Sequence, residues 1–356
     1  MSLDTAKLMV APTAPSPEEV ACYAALETGA VWWESHGHWS TFHGDKAADA
    51  LNGLITNDVS VLLPGEGLHA AALTARGKMI ADLFVIRLDA QTFTMTVLRS
   101  AAPEWLALAR KYVNPRLCRI VDDSERYRTW MVYGARAAEA IVALGGGDAT
   151  AENLSEGMVS ALAEWPTWHH GPWNLGRVTV RLIRAPLMGS RPGFVLMAEA
   201  ADGDLVQQRI DASPILRGTR AVWDIARVEA GRPAMGVDMD ENTIPQEANL
   251  DTLGAISFTK GCYTGQETVA RIHFRGHVNR HLRGLTASAP LPRGADVLDE
   301  TGKVVGDVRS TVISPRFGPI AMAMLRREVV IGAAVSVATE GGPIAAAVLE
   351  LPFSVA

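Results

Sequence analysis

The sequence predicts an α+β body followed by a small all-β barrel. Three observations carry this. Helix-like and strand-like runs alternate irregularly up to about residue 283, without a regular βαβ repeat. Neither a GxGxxG nor a GxxxxGKS string occurs, so neither a dinucleotide fold nor a P-loop has support. After Gly284 the chain breaks into short strands separated by Gly, Pro and Asp, and all nine tryptophans lie at or before Trp223; that reads as a compositionally separate β unit.

The elements follow in order. Residues 1–17, rich in Pro, Ser and Ala, read as loose. A helix then starts at Ser16–Pro17, where Ser caps, Pro fits the first turn and the acids come early. WSTFHG (39–44) is a short strand, and Asp45 to Leu54 is helical with Ala47, Ala50, Leu51 and Leu54 on one face. HAAALTARGK and MIADLFVIRL form a hairpin around Arg76-Gly77, and ADAQTFTMTVL returns after a turn near Asp89 and Ala90. Pro103 to Tyr112 is a helix, CRIVDD and RTWMVYG are strands, and AAEAIVAL is a helix. VTVRLI and GFVLMAE are strands, and SPILRGTRAVWDIARVEAG (213–231) is a late helix ending at Gly231. Residues 285–356 supply the barrel.

Composition narrows the function. The chain has 356 residues, 33 Lys plus Arg and 39 Asp plus Glu, a net charge of −6. At 48% hydrophobic residues it is neither disordered nor a disulfide scaffold. Net acidity argues against nucleic acid as a bulk partner. Cys22, Cys118 and Cys262 are too widely spaced for a local metal site. No secretory leader pattern and no apolar run of membrane-spanning length occur, so the expectation is a cytoplasmic protein with no membrane partner.

The densest functional text is KGCYTGQETVARIHFRGHVNRHLRG, residues 260–284. Lys260 to Arg283 holds five Lys or Arg against Glu267 alone. His273, His277 and His281 share a face if the segment is helical, whereas Arg271, His273 and Arg275 share one side if it is extended. Gly276 and Gly284 favour strands or turns over one long helix. Either form suits an anionic ligand; arginines around the imidazoles oppose a dication, and no metal site is assigned. Cys262 sits in a Lys-Gly-Cys-Tyr turn, where cationic neighbours or a helix start would favour the thiolate. Thr264, Gln266 and Glu267 are placed to begin that helix. His36, His38 and His43 stand among Trp32, Trp33 and Trp39, a group read first as core packing. Asn57 and Asp58 suit a turn, with Asp58 alternatively lining a pocket. Arg227 and Glu229 read as a buried network or a charged pocket wall.

KGCYTGQE resembles the signature of the YgfZ-type folate-binding proteins, relatives of the glycine-cleavage T-protein. LNGLITNDVSVLLPGEG, LTARGKMIADLFVIR, ARVEAGRPAMGVDMDENTIPQE and VVGDVRSTVISPRFGPIAMAMLRRE resemble further segments of that superfamily, so the likeness covers nearly the whole chain. It implies a T-protein-like three-domain arrangement around a central channel that admits tetrahydrofolate, with boundaries at 18–128, 129–283 and 284–356 and the middle domain free to interleave with the first. It implies a tetrahydrofolate-binding accessory protein in assembly or repair of iron–sulfur enzymes. Cys262 and Asp82 would carry the chemistry, and Asn57, Asp58, Arg227, Lys260, Tyr263 and Gln266 would serve the cofactor. The cofactor would be tetrahydrofolate or a one-carbon-substituted derivative, with no cluster stably held by the monomer. Partners would be client enzymes or cluster carrier proteins.

Two departures from the T-protein pattern stand out. Its Asp-Asp pair is Ala81-Asp82 here, and Arg191 in MGSRPGF falls where a pterin-contacting glutamate would be. A pterin amidine wants a carboxylate, which Arg cannot supply. The alternatives are a folate-dependent one-carbon transferase using Asp82 or Asp58, and a plain module for anionic metabolites using the basic segment.

Overall fold

In a computed structural model that describes residues 10–145 and 152–354, α1 (Pro17–Thr28) begins as the sequence requires. Ser16 Oγ accepts from Glu19 N at 3.2 Å, and the Glu19 carboxylate accepts from Ser16 N at 2.8 Å, a reciprocal cap that satisfies two donors a helix start leaves open. β1 (Val31–Ser35), β2 (His38–His43) and α2 (Ala47–Asn52) follow. Then come β3 (Gly67–Leu73), β4 (Met79–Arg87), β5 (Thr92–Val97), α3 (Ala102–Tyr112) and β6 (Arg119–Asp122). β2 to β6 form a five-stranded sheet ordered β3-β4-β5-β2-β6. α2 and α3 cover one face of it, burying Phe42, Leu51, Phe93 and Trp105.

The second sheet takes strands from distant parts of the chain. β7 (Tyr127–Tyr133), α4 (Ala137–Gly145), α5 (Glu152–Glu164), β8 (His170–Leu175), β9 (Val178–Arg184), β10 (Gly193–Glu199), α6 (Gly203–Asp211), β11 (Leu216–Arg217) and α7 (Arg220–Glu229) follow in order. The sheet runs β11-β1-β7-β10-β9-β8, so β1 leaves its sequence neighbours and pairs with β7 and β11. The late helix expected over 213–231 is shorter at its start. Pro214 and Gly218 interrupt it, Leu216–Arg217 pair with β1, and Thr219 Oγ1 caps α7 by accepting from Val222 N at 3.3 Å.

The third unit is a closed barrel. α8 (Gln266–Arg275) precedes β12 (Arg280–Ala287), β13 (Asp296–Leu298), β14 (Val304–Ser314), β15 (Gly318–Arg326), β16 (Ala334–Val337) and β17 (Ile344–Leu349). The order β12-β15-β14-β13-β16-β17 closes through β12 and β17, leaving no free edge. Leu285, Val297, Ala321, Leu325 and Val348 fill it. Outside it, α1 and α7 share a second core with Leu282, Met322 and Met324. The two sheets, the barrel and the loops of 231–265 therefore make an α+β body with a C-terminal closed barrel, the architecture the sequence predicts.

The basic segment is neither one helix nor one strand. α8 stops at Gly276, and the chain resumes as β12 from Arg280, with Gly284 inside the strand. His273 lies in α8, His277 in the connection and His281 in β12, so the three share no helical face. Trp32, Trp33 and Trp39 are 3%, 6% and 4% exposed and enter three different cores, which removes any aromatic rim there. Among the described residues no helix is long and apolar enough to cross a membrane.

Candidate functional site

The β3–β4 ladder sets out one wall. His69 lies opposite Phe84 and Ala71 opposite Asp82, so the period-two alternation puts His69, Asp82 and Phe84 on one face. Phe84 stacks against His69 at 4.9 Å and against Trp168 at 4.7 Å, and the Arg232 guanidinium sits 5.1 Å from the Phe84 ring centre. Trp168 holds a left-handed backbone, φ 64°, uncommon for a bulky residue. Its N–H donates to Arg184 O at 2.9 Å, which ties that strained residue to the second sheet.

Charge is concentrated on this wall. His69 Nε2 bonds Asp82 Oδ1, and Arg232 Nη2 lies 3.2 Å from the same nitrogen. Burial pushes the His69 pKa down and Arg232 adds to that, against the pull of Asp82. Burial pushes Asp82 up, yet the His69 contact and the Arg232 charge bring it below the ordinary carboxylate range. With Asp82 ionised, Nε2 carries the hydrogen and donates to it, and Arg232 acts on the carboxylate by charge.

A three-residue segment, Thr56–Asp58, joins this wall to the KGCYTGQE turn. Thr56 Oγ1 donates to Ala255 O at 2.6 Å and accepts from Ala71 N at 2.8 Å. Asn57 Nδ2 donates to His69 O at 2.8 Å and to Gly254 O at 2.9 Å. Asp58 caps a short 3₁₀ turn, accepting from Ser60 N and from Asn52 Nδ2 at 3.0 Å. Burial raises the Asp58 pKa, but the Ser60 and Asn52 donors and the Lys260 charge leave it lowered. Both residues perform turn work, and Asp58 points its carboxylate at its own loop.

Lys260 is the staple on the other side. Its Nζ, in a side chain only 9% exposed by residue, donates to Asn52 O at 3.0 Å, Ile55 O at 2.9 Å and Asn57 O at 2.6 Å, and lies 3.3 Å from Asn52 Oδ1. Burial pulls its pKa down to about 8, with Asp58 opposing. Buried Tyr263 lies under the ammonium, 5.2 Å from ring centre to Nζ, and burial pushes its phenol to about 12. The ammonium that the sequence placed beside the thiol is thus occupied with carbonyls of another loop. Gly265 takes φ +85°, and a Cβ there would sit 2.5 Å from Thr74 O; only glycine allows the turn to press on the hairpin. Gln266 opens α8, its N–H donating to Tyr263 O at 3.2 Å. Cys262 is exposed, whereas Cys22 and Cys118 are buried.

Arg227 and Arg191 both serve interfaces. Arg227, 5% exposed, donates to Asp238 Oδ2 at 2.7 Å, Arg232 O at 2.9 Å, Ser310 Oγ at 2.8 Å and Asp224 Oδ1 at 3.3 Å. It joins α7 to barrel strand β14 and edges a cavity of about 630 Å³ under Val10–Pro12. Arg191 Nη2 donates to Glu229 Oε2 at 2.6 Å and its Nε to Glu27 Oε1 at 2.8 Å. Glu229 also accepts from Tyr23 Oη at 2.9 Å and Ser314 Oγ at 2.6 Å. Burial, then Glu229, pushes the Tyr23 phenol well above its usual range.

The structure therefore brings Asn57, Asp58, Lys260, Tyr263 and Gln266 into one connected unit, with Asp82 reached through Asn57 and His69, while Arg227 touches that wall only through the Arg232 carbonyl. Sequence reasoning missed His69, Phe84, Trp168 and Arg232. Strand alternation around Asp82 was a usable signal for Phe84, and hairpin pairing across Arg76-Gly77 for His69; nothing local marked Trp168 or Arg232. Among the described residues no group of three or more His, Cys, Asp or Glu is arranged to hold a metal ion.

Comparison with known proteins agrees with the fold. Residues 34–260 match the GCVT N-terminal domain, and residues 280–354 match the glycine cleavage T-protein C-terminal barrel domain. The chain is 30% identical over 261 residues to the tRNA-modifying protein YgfZ of Escherichia coli O157:H7, covering 73% of each. It is 29% identical over 261 residues to the protein of that name from Shigella dysenteriae serotype 1, again 73% of each. The crystal structure of glycine cleavage system aminomethyltransferase T from Bartonella henselae superposes with a TM-score of 0.81 at 21% identity, over 96% of this chain and 91% of that one, a likeness of fold.

Proposed function

Because the chain belongs to the family built from a GCVT N-terminal domain and a glycine cleavage T-protein C-terminal barrel, we propose that it is a YgfZ-type tetrahydrofolate-binding accessory protein in assembly or repair of iron–sulfur enzymes. The observation that carries the reading is the intact KGCYTGQE turn, in which Lys260 is clamped inside and Cys262 is left outside. We assign Lys260, Tyr263 and Gln266 to holding that turn, and Asn57 and Asp58 to bracing it against the β3–β4 wall. Cys262 is the thiol that meets a client or carrier. One thiol cannot complete a four-ligand cluster site, so a cluster is cargo shared with a partner and not a resident group.

The wall residues fit a folate in one respect. Asp82 keeps 14% of its side chain accessible beside Phe84 and Trp168, and an ionised carboxylate accepts from the donors of a pterin edge. Tetrahydrofolate bound there would supply one-carbon chemistry; the chain's residues bind it, orient it and exclude water. One-carbon transfer as the main activity is disfavoured, since Ala81 offers no acid, Asp82 is already engaged by His69, and Arg191 is committed to Glu229 and Glu27. The relatives' description as tRNA-modifying fits this role if the client enzyme, not this chain, touches RNA. A cytoplasmic site of action follows from the same reading.

Calorimetric titration with tetrahydrofolate and 5-formyl-tetrahydrofolate, for the wild type and Cys262→Ala, tests it. Saturable binding retained in the variant, with loss of client-enzyme maturation, is expected. Failure of both folates to bind refutes the folate assignment; full client maturation by Cys262→Ala refutes the role of the thiol.

A further inference from the structure

The helix that follows the Cys262 turn carries more exposed side chain than its packing explains. Of the ten residues of α8, Val269 alone is fully buried. Glu267, Arg271, Phe274 and Arg275 recur at helical spacing on one exposed face. Phe274 is 66% exposed, among the most exposed large apolar residues described. It meets His273 edge-on at 4.7 Å, and His273 stacks on Phe258 at 3.6 Å, so an aromatic strip runs from the 257–265 loop onto the helix. The β3–β4 turn abuts the start of α8, where Thr268 Oγ1 donates to Arg76 O at 3.1 Å, and it adds exposed Arg76 to the same side. A Cβ on Gly77 would meet Thr268 at 2.7 Å, so turn and helix form one surface.

We propose that this face of α8 docks an acidic protein segment that carries an apolar anchor for Phe274. Aromatic and arginine side chains are the residues from which binding hot spots are built. Charge decides the occupant. The patch is cationic on a chain of net −6, so an acidic peptide is drawn to the patch, while a long polyanion such as RNA is repelled by the rest of the surface. The location adds purpose: a partner held on α8 lies at the helix whose N-terminal turn presents Cys262. This inference rests on the accessory role proposed above for taking the partner to be a protein.

Fluorescence anisotropy tests it on the full chain. The probes are a labelled peptide of about fifteen residues with Asp and Glu interspersed by Leu and Phe, its Asn/Gln counterpart, and a single-stranded RNA of similar length. The acidic peptide is expected to bind about tenfold or more tighter than the neutral one and to weaken with salt. Arg271→Glu/Arg275→Glu is expected to lose about tenfold and Phe274→Ser several-fold, both retaining the wild-type melting transition. Equal affinity for the acidic and neutral peptides, indifference to either variant, or tighter binding of RNA overturns the proposal. Folate titration of the same samples separates the two readings: loss of folate binding by the wild type refutes the folate assignment and leaves the peptide result standing.

Discussion

Replacing Lys260 by Met is the most direct test of how the Cys262 turn is held. The substitution keeps the stem and removes the ammonium. Three carbonyls, of Asn52, Ile55 and Asn57, then lose their donor in a buried setting. Each unsatisfied carbonyl costs about 1–3 kcal/mol, a gross loss of roughly 3–9 kcal/mol. The offset is the relief of burying a charge. A pKa drawn from 10.5 down to about 8 corresponds to about 3 kcal/mol at 1.36 per unit. The net destabilisation expected in urea unfolding at pH 7 is therefore about 0–6 kcal/mol, centred near 3. The pH dependence has a definite sign. The folded pKa is depressed, so between about pH 8 and 10.5 the unfolded chain binds more protons and stability rises with pH. The wild-type advantage over Lys260→Met should widen from pH 8 to pH 10. Hydrogen exchange should show faster opening of residues 53–57 and 255–265 in the variant, because those two stretches are what the ammonium joins. A variant within about 0.5 kcal/mol of wild type, with unchanged exchange in both stretches, would refute the staple.

Glu229→Gln removes the charge that faces Arg191 and should cost about 3–5 kcal/mol in urea unfolding; a double cycle with Arg191→Met should show coupling above about 1 kcal/mol, and additivity would dissolve the brace. His170, 2% exposed, has its pKa pushed to about 4 by burial and then by Arg181. Its stability contribution is present above about pH 6.5 and is lost as pH falls towards 4, so the acid-side decline should be shallower by about 3 kcal/mol in His170→Gln; equal slopes count against it. Asp82→Asn should weaken tetrahydrofolate binding about tenfold or more in calorimetry, with near-normal binding excluding Asp82 from the site.

Local pattern made much of this chain legible. Ser16, Pro17 and Glu19 announce α1 because a helix start needs caps, and the cap forms from both sides. The glycine- and proline-broken texture after Gly284 announces the barrel, because short strands need turns. The late helix was overdrawn because apolar periodicity ran through Pro214 and Gly218, while pairing of Leu216–Arg217 with β1 is a contact across some 185 residues that no local window contains. The same limit applies to the site. KGCYTGQE marks a candidate site, but the partners of Lys260 lie in residues 52–57, and those of Asp82 in β3 and beyond α7. The expectation that Lys260 serves Cys262 by charge came from adjacency in sequence; in three dimensions its ammonium is turned to carbonyls.

The two departures from the T-protein pattern acquire a common meaning in this geometry. Arg191, standing where a pterin-contacting acid would fall, closes a buried set in which Glu229 takes hydrogen bonds from Tyr23, Ser314 and Arg191. Those residues come from α1, the loop before β10, α7 and β14, so the set ties the second sheet to the barrel. A side chain position that could have gripped a ligand instead stiffens the frame. Asp82, the acid that survives, is held by His69 and faced by Arg232, which leaves it poorly placed for free proton exchange and, in the proposed folate reading, suited to orienting a ring. The exposed thiol meanwhile sits on a turn fixed by a buried cation and followed by a helix with a cationic, aromatic outer face. Under the proposed function the working group is thus the exposed Cys262, which a macromolecular partner can reach, and not the buried Asp82 wall. That placement is what the proposed accessory role calls for: a thiol open to a partner protein beside a helix face able to hold one.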